Sequence, residues 1–479
     1  MVDDDFRVNS HRIRAYIDTL VRHDDDSTMT DLRVKAYYRN RKPFLWITRH
    51  GIDCRADSLV ASLDSVGLTG FSPRQFYMPQ LRNDLEDLRR LRVGREQNIN
   101  ELFARLEYHL SKAFFRYVTG QRFGYFNPRF TLNRLDVLKE DSDGVKYRRL
   151  FDMKMQLPGP RFFSEALSML AHDSVGVLLR TSQPTNPYYY RLQAMLRQAR
   201  TQDARNRILC NMERARWRLA DSPDRHAKCV VVNIPSYHLY AINGDEWLTM
   251  RIGCGSLETK TPLLSSQIKR IDLNPRWIIP RSILEKSILR HAGDPAYFHR
   301  HRYGVAQRST GKRVSPHDIR PWMLNSTDYY VYQEGGEGNA LGRIIFRFDN
   351  NFAVYLHYTS APEVFSREDR GVSHGCIRVE KPYELALFLL PKPDEEVAQK
   401  IRYSITADLA PLEPDFVASE EQPDTLNRKW IINSVKIEPR VPLFITYYTL
   451  FPGPDHRFEE CADVYGYDGV ILRHLKNYM

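Results

Sequence analysis

Cysteine is scarce in this chain: six in 479 residues, with no CxxC pair and no regular spacing, which excludes a disulfide-stapled fold and a zinc ribbon. Long apolar runs are missing too. The richest stretch, 442–451, falls well short of the ~18 residues of a membrane helix and carries Thr446, Tyr447, Tyr448 and Thr449. Neither a basic n-region nor an apolar h-region follows the acidic start MVDDDF, so the chain is either cytosolic or numbered from beyond a removed leader. No repeat of ~20–50 residues is visible, which argues against a solenoid. The net charge of +11 is spread along the chain without a Lys/Arg-only tail. It reads as a solvated basic surface compatible with an acidic partner, and no nucleic-acid partner is expected.

What is present is globular: 42% hydrophobic, 27% charged and 12% aromatic residues, enough to build large cores and room for two to four domains. Residues 1–205 read as helical. Leu102, Phe103, Leu106, Leu110, Ala113, Phe114 and Tyr117 recur at helical spacing, with Gly120 as a stop, and shorter stripes lie at Ile13, Tyr16, Ile17 and Leu20 and at Leu192, Met195 and Leu196. Residues 206–227 read as a linker. From Lys228 the texture becomes β-rich, with VVVNI, WLTMRIGCG and IKRIDLNPRWIIP as strands. Residues 283–340 read as an inserted lobe with glycine-rich edges. RIIFRF and FAVYLHY flank Asp349, Asn350 and Asn351 as a hairpin, and Pro382 opens a helix. After 392, a charged, proline-dotted stretch leads to two more strands, KWIINSVKI and VPLFITYYTLF, and a short helix from Tyr467. The expected class is α+β: a helical amino-terminal part, a β-rich domain over 228–392 carrying the lobe, and a segment over 393–479 that completes it.

The sharpest local feature is Ser373-His374-Gly375-Cys376. From this chain's own composition an HGC tripeptide is expected only about 0.01 times by chance, so it merits a chemical explanation. A nucleophilic cysteine needs a base, because a free thiol with pKa ~8.5 is mostly protonated at neutral pH. It also needs backbone N–H groups aimed at the developing oxyanion, and a preceding glycine lets the chain approach the substrate closely. Two histidines are candidates for the base. His374 lies two residues from the thiol, and His357 ends a strand fifteen residues before the SHGC run. Spacing alone does not choose between them. His357, His374 and Cys376 as zinc ligands is a weaker reading, since HExxH and paired CxxC spacings are absent. A papain-like protease fits poorly because the histidine here precedes the cysteine.

His357, fifteen residues, then SHGC resembles the signature of the L,D-transpeptidases with a YkuD-type catalytic domain. NMERARWRL (211–219), VVVNIPSYHLY (230–240), KTPLLSS (260–266), NPRWIIPRSI (274–283), NALGRIIFRF (339–348), RVPLFITYYTL and DVYGYDG are similar to the large, YcbB-like branch of that family. The resemblance implies that Cys376 is the nucleophile and His357 its base, that the backbone at Gly375 and Cys376 forms an oxyanion hole, and that His374 and Ser373 shape the site. Residues 283–340 would be a capping lobe over the catalytic groove, and the amino-terminal half a helical scaffold. Arg378 stands where many single-domain relatives have Asn and either holds a substrate carboxylate or braces the loop. Tyr358 stands where this branch often has Asp, and its carbonyl would orient the imidazole. No peptidoglycan-binding module is evident between the two halves. The implied activity is peptidoglycan L,D-transpeptidation on tetrapeptide stems in the periplasm or cell envelope, with no cofactor or metal, and with carbapenems as acylating inhibitors. L,D-carboxypeptidase activity or anchoring of a wall protein by the same site is the alternative.

Overall fold

A computed structural model of the chain describes residues 7–92, 98–141, 144–391, 394–407 and 426–479. The acidic start and most of the charged stretch after 392 lie outside the described residues. The amino-terminal half is helical and the carboxy-terminal half β-rich, so the fold is α+β.

The helical half is built around α1 (Ile99–Phe123), most of whose residues are buried. Such a helix must satisfy its polar side chains internally. Glu107, without exposed surface, accepts from the backbone N–H groups of Trp46 (2.9 Å) and Ile47 (3.0 Å) and from the Tyr38 hydroxyl (2.7 Å). Arg116 donates to Asp31 at 2.7 Å, and Lys112 to Asp26 at 2.6 Å. The first half of the stretch expected as a linker belongs instead to α2 (Gln202–Arg216), whose residues from Ile208 onward are all buried. It belongs to the core because it joins the two halves. Asn211 caps the Thr449 and Leu450 N–H groups, Arg214 pairs with Asp468 at 2.6 Å, and Trp217 packs on Phe126 and Phe151. One hydrophobic core runs from Ile13 through the helices to Tyr478.

The β-rich half is a ten-stranded sheet. Its strands are β1 (Phe151–Asp152), β2 (Lys228–Asn233), β3 (His238–Asn243), β4 (Glu246–Gly255) and β5 (Leu263–Leu273). They continue with β6 (Ile344–Phe348), β7 (Leu356–His357), β8 (Gly371–Ser373), β9 (Ile377–Val379) and β10 (Ser434–Thr446). The order β6-β7-β9-β4-β3-β2-β10-β5 closes on itself because β5 also pairs with β6, so the strands form a barrel without free edges around this ring. β1, supplied by the helical half, pairs in parallel with the start of β5, and β8 pairs with β4. The two strands expected near the end are one, β10, with a register shift between Lys436 and Val441 where Pro439 can donate no ladder hydrogen bond. The first residues of KWIINSVKI fall in a turn, Arg428–Trp430, ahead of that strand.

The inserted lobe starts earlier than the glycine pattern implies. After β5 the chain turns at Asn274, with φ 45°, and Trp277–Ile278 joins a separate four-stranded sheet with Tyr303–Gln307, Arg313–Val314 and Tyr329–Gln333. The lobe has its own small core, including Ile288, Phe298, Val305 and Ile319. Its two ends meet where the Asn274 N–H donates to the Arg343 carbonyl at 2.8 Å. No helix among the described residues is long and apolar enough to cross a membrane.

Candidate active site

β7 and β9 run side by side in parallel, pairing Leu356 with Ile377 and His357 with Arg378. Leu356 and Ile377 have no exposed surface and point into the barrel core. Strand alternation therefore places His357 and Arg378 together on the other face, with Cys376 just ahead of β9, two residues before Arg378. The strand FAVYLHY is shorter than its pattern predicts: only Leu356–His357 pairs, because Ala353 adopts φ 53° and Asn350 Oδ1 accepts from the Phe352 and Val354 N–H groups. That turn brings the Ala353 carbonyl to 3.9 Å from Cys376 Sγ.

His357 is 5% exposed, and its Nδ1 donates to the Tyr358 carbonyl. With its proton there, the ring keeps the Nε2 lone pair free. Burial pulls the imidazole down to about 4; the Tyr358 and Leu341 carbonyls oppose this and Arg378 assists it. Burial likewise pushes the half-buried Cys376 thiol up, against a hydrogen bond from the Tyr355 backbone and the positive charges of Arg378 and Arg347. Both shifts favour a neutral thiol and a neutral imidazole at rest. Arg378 Nε is buried without a partner among the described residues, and burial lowers the guanidinium's affinity for its proton.

The SHGC run is a tight turn between β8 and β9. Gly375 has φ +114°, a conformation that L side chains rarely adopt, although a Cβ there would meet nothing closer than 3.7 Å. Backbone conformation, not lack of space, makes this position glycine. The same φ breaks the extended geometry that would have put His374 and Cys376 on one face, and His374 is exposed. Ser373 is buried and closes the turn: its hydroxyl donates to the Cys376 carbonyl and accepts from the Gly375 N–H at 3.1 Å. Of the two N–H groups expected to face an oxyanion, that of Gly375 is thus engaged by Ser373, whereas that of Cys376 has no partner among the described residues. Tyr358 contributes its carbonyl to His357.

Sequence reading missed the residues behind the turn. Thr259 Oγ1 donates to the Ser373 carbonyl at 2.7 Å, Thr261 Oγ1 to the Gly375 carbonyl at 2.9 Å, and Tyr465 OH to the Gly255 carbonyl at 2.6 Å. Thr261 and Tyr465 lie within KTPLLSS and DVYGYDG, so the segments were visible but their convergence was not. It also missed Arg347, which stacks over Tyr355 at 4.6 Å. All six cysteines are unpaired. Cys210, Cys229 and Cys254 are buried, Cys54 is exposed and Cys461 is half-buried. Among the described residues no three His, Cys, Asp or Glu side chains converge as a metal site requires. A cleft of about 220 Å³ beside Tyr37, Phe115 and Phe163 lies in the helical half, away from the thiol.

Residues 227–397 match the L,D-transpeptidase catalytic domain, YkuD, and residues 32–196 match a scaffold domain. A Haemophilus influenzae protein named "Putative L,D-transpeptidase" is 30% identical over 258 residues, which is 53% of this chain and 47% of that protein. The chain thus spans about half the length of the curated relative it matches. It joins a region matching a YkuD L,D-transpeptidase catalytic domain to a region matching a scaffold domain, the pairing of the YcbB-like architecture.

Proposed function

We propose that this protein is a peptidoglycan L,D-transpeptidase that works through a cysteine thioester in the bacterial envelope. The observation that supports the reading is the shared face of β7 and β9, on which His357, anchored through Nδ1, pairs with Arg378 two residues from Cys376, whose own N–H has no partner among the described residues. Cys376 Sγ attacks the carbonyl joining the diamino acid at the third stem position to the terminal D-Ala, and its proton passes to His357 Nε2. The tetrahedral oxyanion takes a hydrogen bond from the Cys376 N–H. The C–N bond breaks, His357 returns the proton to the departing D-Ala amine, and a thioester is left. A side-chain amine of a second stem then attacks the thioester, losing a proton to His357. Thiolate leaves, recovers that proton, and a 3–3 cross-link is formed. Water in place of the amine yields an L,D-carboxypeptidase product, and a protein amine yields an anchored protein.

The unpartnered Arg378 Nε supports a role in holding a stem carboxylate, for which a planar guanidinium is suited. Cys376→Ala removes the nucleophile and little volume. Intact-protein mass spectrometry with a tetrapeptide donor or a carbapenem is expected to show an adduct on the wild type and none on this variant. An adduct that survives in Cys376→Ala overturns the assignment.

A further inference from the structure

Resting on the proposed thioester chemistry, the structure assigns Thr261 as the positioning residue that aims the Cys376 N–H at the oxyanion, with Tyr465 holding Thr261 from behind. The Gly375–Cys376 peptide is a planar unit in which the C=O and N–H point in opposite directions. Whatever grips the Gly375 oxygen therefore sets where the Cys376 hydrogen points. Thr261 Oγ1 grips it at 2.9 Å from the interior, and the Cys376 N–H then faces outward, where no described residue takes it.

The grip is itself over-determined. Thr261 has no exposed surface, and its hydroxyl accepts from the Gly255 N–H at 2.9 Å, so its single proton is directed to Gly375. The Thr261 N–H donates to Tyr465 OH at 3.1 Å, and Tyr465 donates onward to the Gly255 carbonyl at 2.6 Å. Gly255 must be glycine for this ring to close: a Cβ there would lie 2.1 Å from the Thr259 carbonyl oxygen and 2.7 Å from the Thr261 nitrogen. A hydrogen bond to the Gly375 oxygen also polarises the peptide and makes its N–H a stronger donor. The residue that shapes the oxyanion site thus comes from the turn between β4 and β5, and its brace from the chain just before the last helix.

The test separates chemistry that needs an oxyanion hole from chemistry that does not. Cys376 is acylated by a carbapenem, which generates an oxyanion, and alkylated by iodoacetamide, which does not; peptide mapping reads both at that residue. Thr261→Val is expected to slow acylation at least about tenfold while changing alkylation by less than about twofold, because only the aim of the N–H is lost. Thr261→Ser is expected to restore acylation. Tyr465→Phe, which keeps the Thr261 hydroxyl, is expected to show a smaller loss with the same selectivity, and it serves as the test if Thr261→Val does not fold. Unchanged acylation in Thr261→Val and Tyr465→Phe, or parallel losses of acylation and alkylation, overturns the inference and leaves the proposed function standing. A wild type alkylated at Cys376 yet never acylated overturns the functional reading, and this inference with it.

Discussion

An imidazole that stays neutral down to about pH 4 can take a proton at any pH above that, but it cannot hold a preformed ion pair with a thiol. Burial pushes Cys376 in the opposite sense to a reactive thiolate, so in the proposed mechanism His357 removes the proton as the sulfur attacks. The acylation rate of the wild type is therefore expected to be flat across neutral pH and to fall only as pH approaches about 4, where His357 protonates. A limb rising through neutral pH would contradict this. His357→Ala is expected to lose roughly 100-fold or more in acylation rate, the usual scale for a general base, whereas His374→Ala, altering an exposed side chain, changes it far less. Single-turnover acylation followed by mass spectrometry reads both; equal losses would reverse the assignment of roles.

The lobe is the element most separable from the rest. Its core is distinct from the main one, and its ends are joined at Asn274 and Arg343, so residues 277–333 can be replaced by a short glycine-rich link that keeps Leu341, whose carbonyl acts on His357. Closure of such a lobe over a bound donor would keep water from the thioester and leave the amine acceptor favoured. Deleting the lobe is expected to raise the ratio of tripeptide product to cross-linked dimer. Chromatography and mass analysis of products from a defined tetrapeptide muropeptide measure it. An unchanged ratio in a folded, active variant would reduce the lobe to a structural part.

At the scale of the whole molecule, the same buried imidazole ties stability to pH. The folded pKa of His357, about 4, lies below the ordinary value of 6.5, so between those limits the unfolded chain binds more protons. Its contribution is fully present above that window and is lost as pH falls through it. His109, stacked on Tyr77 and also pulled down to about 4 by burial, acts with the same sign. Between pH 7 and 5 His357 alone is expected to remove on the order of 2 kcal/mol of stability. Denaturant titrations at the two pH values measure this, and His357→Gln is expected to show a smaller fall. The loss should unfold both halves together, because α2 and the shared core leave no boundary at which one could melt alone.

Local chemistry made much of this protein legible without coordinates. The periodicity of α1, the alternating strands after Lys228 and the SHGC run are properties of neighbouring residues, and their placement follows from the backbone's own geometry. The separation of the catalytic candidates, by contrast, had two readings until register was known. His374 is nearer to Cys376 in sequence, but a positive φ at Gly375 turns it to solvent, while the parallel pairing of β7 with β9 brings His357 alongside. Ring closure of the barrel, the strand lent by the helical half, the burial of α2 and the convergence of Thr261, Tyr465 and Gly255 behind Gly375 are likewise matters of long-range contact. Residue types and spacing determined which chemistry is proposed for this chain. The local Ser373 hydroxyl leaves the Cys376 N–H as the unpartnered one, but what grips the Gly375 carbonyl behind it was decided only by hydrogen bonds between segments more than a hundred residues apart.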